Sequence, residues 1–73
     1  MTDRADPRLT QRERQVLEYI AKGFSYRESA RLLNISSHTV PSHIKNIYRK
    51  LAVRSRGEAV FEATHLGLIR IGH

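Results

Sequence analysis

The stretch Ser36–Leu51, SSHTVPSHIKNIYRKL, carries two patterns at once. Val40, Ile44, Ile47 and Leu51 recur at intervals of four, three and four, which on a helix of 3.6 residues per turn places all four on one apolar stripe. Just before and among them lie His38, Ser42, Lys45, Asn46 and Arg49, which point the other way and are almost wholly hydrogen-bond donors or cations. The stripe is an inner face, and the opposite face suits a polyanion. A charged outer face alone would describe any solvated helix. The distribution of charge along the chain decides between the two.

The chain has 73 residues, 13 Lys and Arg against 7 Asp and Glu, a formal charge of +6 and a pI near 10.5. The acids are Asp3, Asp6, Glu13, Glu18, Glu28, Glu58 and Glu62, so no carboxylate occurs from Ser29 to Gly57. That gap holds six cations, Arg31, Lys45, Arg49, Lys50, Arg54 and Arg56, while the seven cations elsewhere are matched by the seven acids. The whole surplus is local. A basic stripe on a small domain attracts phosphate chains or an anionic membrane, and solubility alone would not require such segregation.

One small domain is all that this length holds, and a chain this short buries only about 60% of its unfolded surface, so dimerisation or an attached domain is expected. There are no cysteines, hence neither a disulfide framework nor a thiolate zinc site, which fits a reducing cytoplasm. No apolar run approaches the roughly 20 residues of a membrane span, and no signal-peptide segment opens the sequence. A soluble, cytoplasmic protein is expected.

Residues 1–8 read as a flexible linker or a trimmed chain end, with Pro7 disfavouring helix at Asp6. Thr10-Gln11-Arg12-Glu13 is a capping box that starts a first helix over 11–22, with Val16, Leu17, Ile20 and Ala21 inward, Arg12, Glu13, Arg14 and Glu18 outward, and Gly23 as a left-handed stop. Ser25-Tyr26-Arg27-Glu28 is a second capping box, opening a helix over 26–33 with Ala30, Leu32 and Leu33 as its apolar residues and Asn34 as terminator. The third helix, 38–51, follows after three or four residues, which is the helix-turn-helix spacing. Ser55-Arg56-Gly57-Glu58 repeats the capping pattern and opens a fourth helix over 56–66, with Ala59, Val60, Ala63 and Leu66 inward and Gly67 after it. Leu68, Ile69 and Ile71 form an apolar tail expected to fold back on the core, leaving 72–73 as a tail end. No strand-like alternation or internal repeat is present. The expected fold is all-α, a four-helix helix-turn-helix bundle over 9–71.

From Leu9 to Ile69 the chain resembles the LuxR-type (GerE-like) DNA-binding domain. The pieces that carry the likeness are Leu9-Thr10, Arg12-Glu13-Arg14, Val16-Leu17, Gly23, Ala30, Leu33, Ile35-Ser36, Thr39-Val40, His43, Ile47, Lys50-Leu51, Val53, Arg56, Ala59-Val60 and Gly67-Leu68-Ile69. The resemblance implies a bacterial transcriptional regulator domain whose third helix enters the major groove of duplex DNA and whose fourth pairs two copies, as in response regulators, with a sensor domain elsewhere. It implies Ser42 and Lys45 as base contacts; His38, Asn46 and Arg49 join them because they share the polar face. Phosphate contacts are expected from Ser25, Tyr26, Arg27, Thr39, Lys50, Arg54 and Arg56, since helix N-termini offer free amides and the cations flank them. Ser25 and Ser55 also read as caps, Thr39 as a possible cap, Tyr26 as a packing residue, and Lys50 and Arg56 as holders of the fold, for example through Glu13. Phe61, Glu62 and His65 are the outward residues of the fourth helix and the expected dimer contacts, although Phe61 could instead pack under the tail.

Pro41 departs from the resemblance, because the family commonly carries a DNA-reading lysine there. A proline deep in a helix costs about 3 kcal/mol and one in the first turn little, so regular helix is expected to start late, near Thr39, or with a distorted first turn. Enzymatic readings find no support: His38 and His43 are five apart, His65 and His73 lack acidic or cysteine partners, and neither a phosphate-cradling glycine loop nor a nucleophile elbow occurs. No catalytic residue, metal site or cofactor is expected, and His43 reads as a partly buried support. The rival to DNA binding is a basic helical interaction module docking an acidic partner such as an RNA polymerase subunit. A membrane surface ranks last, since the apolar stripe is needed for the core.

Overall fold

In a computed structural model, which describes residues 9–70, four helices follow one another: α1 Gln11–Ala21, α2 Tyr26–Leu33, α3 Thr39–Leu51 and α4 Arg56–His65. No strand occurs among the described residues. The readings for residues 1–8, for Ile71 and for the tail end lie outside that range. Helices α1 and α3 each touch all the others, whereas α2 and α4 do not meet, so the first and third helices form the spine of the bundle.

The α3 stripe is the heart of the core. Val40 and Ile47 are wholly buried, and Ile44 and Leu51 nearly so. They pack with Val16, Leu17 and Ile20 of α1, Ala30 of α2, Ala59 and Ala63 of α4, and with Leu9 and Ile69 from the flanking segments. The tail does fold back as far as it is described: Ile69 is buried and Leu68 half-buried. One apolar residue of α2 and one residue of the fourth helix expected inward lie outside the core. Leu32 is 51% exposed and Leu66, which caps α4 rather than continuing it, is 44% exposed. Leu32 falls one position before Leu33, which shares the inner side of α2 with Ala30, whereas Leu66 is in register with Ala59 and Ala63 but lies just past the last helical residue, His65.

Glu13 is also a correction. It is 4% exposed rather than outward, because its carboxylate accepts from the Thr10 amide at 2.9 Å and from Lys50 Nζ at 2.8 Å and so enters the core edge with its charge compensated. The capping boxes at Thr10 and Ser25 are complete in both directions. At Ser55 only half forms: the Ser55 hydroxyl accepts from the Glu58 amide, but the Glu58 carboxylate reaches one residue further back, to the Arg54 amide at 2.8 Å. The stops behave as glycine and asparagine allow, with Gly23 at φ +100° and Asn34 at φ +59°.

Helix α3 starts at Thr39, the late start expected from Pro41, so five residues separate α2 from α3 instead of the three or four expected. Ser36 makes a turn ahead of the helix: its hydroxyl accepts from the His38 amide at 3.2 Å and its carbonyl from the Thr39 amide at 3.0 Å. Pro41 is thereby the third helical residue, where the missing amide would have had no intrahelical partner, and the proline is absorbed at little cost.

Candidate nucleic-acid interface

The buried stripe fixes the roll of α3, and the roll fixes what faces outward. At 100° per residue, His38, Ser42, Lys45, Asn46 and Arg49 fall within an arc of about 100° centred opposite Val40, Ile44, Ile47 and Leu51. His38, Ser42, Lys45 and Arg49 are exposed and Asn46 is half-buried at the edge of that arc. Arg49 Nη2 donates to Asn46 Oδ1 at 3.1 Å, so two of the five are joined on the surface. No side chain caps the helix start, and its first turn contains no acid, while Arg49 and Lys50 occupy its last turn. The result is a ridge of donors without a carboxylate. His43 is half-buried beside it, as expected for a support.

The flanks divide into groups already engaged and groups that are free to meet a ligand. Ser25 is engaged by its capping box, its hydroxyl accepting from the Glu28 amide at 3.0 Å, while Tyr26 and Arg27 beside it are exposed. Thr39 is half-buried and serves as the first helical residue, not as a cap. Lys50 is half-buried and its ammonium is spent on Glu13, the alternative that the sequence left open. Burial alone would push the Glu13 carboxyl up, but the hydrogen bonds from Lys50 and Thr10, together with the lysine's charge, outweigh it and hold the group below its ordinary value. Arg54 and Arg56 are exposed.

Tyr48 is the residue that the sequence reading passed over. It is half-buried on α3, and its phenol is pushed up by burial and by like-charge repulsion with Tyr26, against the pull of the Arg56 guanidinium. Tyr26 at the start of α2 and Arg56 at the start of α4 therefore both lie within electrostatic reach of the last turn of α3. Its position one after Ile47, on the shoulder of the stripe, was the only signal available.

On α4, Phe61 is 70% exposed and does not pack under the tail; its ring stacks on His65 at 6.1 Å between centroids and 4° between planes. His65 is exposed and Glu62 half-buried. A shallow groove beside Phe61 is lined by Ile20, Ala21, Arg56, Val60 and Thr64. Among the described residues no three His, Cys, Asp or Glu side chains converge as a metal site would require, and no helix is long and apolar enough to cross a membrane.

Comparison with known proteins agrees with this geometry. Residues 7–63 match the family model described as bacterial regulatory proteins, luxR family. The chain is 45% identical over 58 residues to the HTH-type transcriptional regulator MalT of Vibrio campbellii, and 47% identical over 58 residues to the MalT regulators of Vibrio cholerae and Yersinia pestis. Each match covers 80% of this chain but only 6% of the relative's length. The solved structure of the transcription factor GerE superposes with a TM-score of 0.81 at 35% identity, covering 85% of this chain and 92% of that one. A donor ridge on the second helix of a helix-turn-helix, in a chain matched along most of its length by these regulators, has one reading: the chain belongs to the luxR family of bacterial regulatory proteins and is a DNA-binding, transcription-regulating domain of the helix-turn-helix type.

Proposed function

We propose that this domain binds duplex DNA sequence-specifically, with α3 in the major groove and two copies paired through α4 on neighbouring half-sites. The observation that supports the reading best is the pairing of a fully buried aliphatic stripe with an exposed donor face on one helix, inside the acid-free segment of the chain. A major groove about 12 Å wide admits one helix, whose outward donors reach base edges while flanking cations neutralise phosphates. Ser42 and Lys45 read bases, supported by His38, Asn46 and Arg49. Arg27, Arg54 and Arg56 contact phosphates together with Tyr26, Thr39 and the helix-start amide region at Ser25. Lys50 contributes to the local potential but is held by Glu13.

A single module buries about 600–1,000 Å² of protein surface on DNA, too little for selective tight binding, which favours a dimer. Phe61, Glu62 and His65 on α4 would form its contact. The chain spans about 6% of the length of the MalT regulators it resembles. A sensor that controls pairing, a cytoplasmic setting and RNA polymerase as a further partner complete the proposal.

The test is a salt titration on a duplex selected from a random pool. Counterion release gives a slope in log–log form of about −0.9 per phosphate neutralised, whereas docking on an acidic protein surface gives a shallow response. Within that assay Lys45→Ala should cost about 1–3 kcal/mol and relax selectivity at one base pair, and Arg54→Ala should weaken all duplexes alike and reduce the slope by about one. A flat salt response would transfer the basic face to an acidic protein partner.

A further inference from the structure

We infer that Asn46 and Arg49 act as one base-reading unit that selects guanine, and that Arg49 is what denies Asn46 its intrinsic preference for adenine. The inference rests on the groove reading above and specifies what that face recognises.

An isolated asparagine pairs with adenine in the major groove because its amide offers one donor, for adenine N7, beside one acceptor, for the adenine amino group. Here the acceptor is occupied. Arg49 Nη2 donates to Asn46 Oδ1 at 3.1 Å, and since a guanidinium has only donors, the atom facing it has to be the oxygen. The amide NH2 is left as the outward functional group. The second lone pair of Oδ1 does not restore adenine recognition, because an adenine amino group approaching it would meet the guanidinium N–H groups beside it, donor against donor. Flanking the shared oxygen are the amide NH2 on one side and unspent guanidinium N–H groups on the other, a set that is complementary to two adjacent acceptors. Guanine presents that pair, O6 and N7, on one base edge.

The neighbours reinforce the bias. Ser42 and Arg49 lie seven residues apart on nearly one line of the helix, about 10.5 Å along the axis and hence roughly three base pairs of groove. Lys45, between them and exposed, adds another group with donors only. No carboxylate, which would accept from a cytosine amino group, occurs on the helix at all. The three-residue spacing of Asn46 and Arg49 is what allows the two side chains to meet, as i and i+3 neighbours do on a helix surface.

The inference is tested by selecting duplexes from a random pool with the unaltered chain and with Arg49→Ala, then measuring Kd for the selected site with each base pair exchanged singly. The unaltered chain should enrich guanine within the recognised half-site and favour it over adenine at the Asn46 position by roughly 5- to 150-fold. Arg49→Ala releases the amide oxygen, so the same base pair should change to adenine even as overall affinity falls. Asn46→Asp keeps an acceptor for Arg49 while removing the NH2 donor, and should lose the guanine preference at that position without an adenine preference replacing it. Both residues lie outside the core, and an unchanged helical circular dichroism signal separates altered reading from altered folding. If Arg49→Ala and the unaltered chain select the same base at every position, the two residues do not act as a unit and the inference fails while the groove reading stands. If the unaltered chain enriches no sequence at all, base reading by α3 fails and this inference with it.

Discussion

Helices α3 and α4 both cross the core, but they divide their surfaces in opposite ways. On α3 the large apolar groups are all inside, Val40, Ile44, Ile47 and Leu51, and the outside is polar. On α4 the fully inward residues are only Ala59 and Ala63, with Val60 half-buried, and the large Phe61 points to solvent with Leu66 partly exposed after it. A helix whose apolar surface is fully used by its own domain leaves a face for a polar ligand. A helix that buries two methyl groups and exposes a phenyl ring has apolar surface left over for a partner. The same bundle thereby offers two surfaces of unlike chemistry, a polar and cationic one on α3 and a partly apolar one on α4.

The stability of the fold should follow that contrast. Ile47 is wholly buried, so Ile47→Ala removes transferred apolar surface and leaves a cavity, for an expected loss of about 2–5 kcal/mol in urea-induced unfolding. A loss under about 1 kcal/mol would mean that the α3 stripe is not the organising core. Next comes Lys50→Met, which leaves the Glu13 carboxylate buried against its capping box without the ammonium. The expected cost is about 1–3 kcal/mol, below that of a fully buried pair because the lysine side chain is 30% exposed. This pair also sets a pH dependence. The Glu13 carboxyl is held below its ordinary value of 4.5, so its contribution to stability is complete above that value and lost as pH falls through the lower folded value. Unfolding followed from pH 7 to 3 should therefore show a smaller acid loss in Lys50→Met than in the unaltered chain, and equal losses would remove the ion pair as the cause.

Most of the fold is legible in the sequence because its signals are local. The i, i+3, i+4 spacing on α3 and the Thr10 and Ser25 capping boxes each use residues within one or two helical turns, and each recurs in the structure. What escaped depends on distance. The burial of Glu13 needs Lys50, 37 residues away, and an acid in a first turn otherwise reads as exposed. Ala52 ends α3 at φ +57°, a left-handed conformation that costs a residue with a Cβ about 1–2 kcal/mol, and nothing about an alanine announces it. At the interface, the donor face of α3 follows from periodicity, whereas the bond between Arg49 and Asn46 does not, since an i, i+3 pair is permitted by spacing without being required by it. Leu66 fell outside the core because α4 stops one residue before the apolar pattern does.

The smallest expected effect on the fold belongs to the residue with the largest exposed apolar side chain. Phe61 is 70% exposed and stacks on the equally outward His65, so Phe61→Ala should change the unfolding free energy by no more than about 0.5 kcal/mol. If α4 pairs two copies on DNA, the same substitution should leave binding to a duplex with one half-site unchanged and selectively weaken binding to a duplex with two, because the side chain then contributes only across the pair. Comparing the two duplexes in one titration isolates that term, since whatever Phe61 does for a single copy cancels between them. Equal behaviour on both, at unchanged stability, would show that the exposed ring of α4 is no contact between copies, and the contrast between the two helices would then reduce to how well each fills the core.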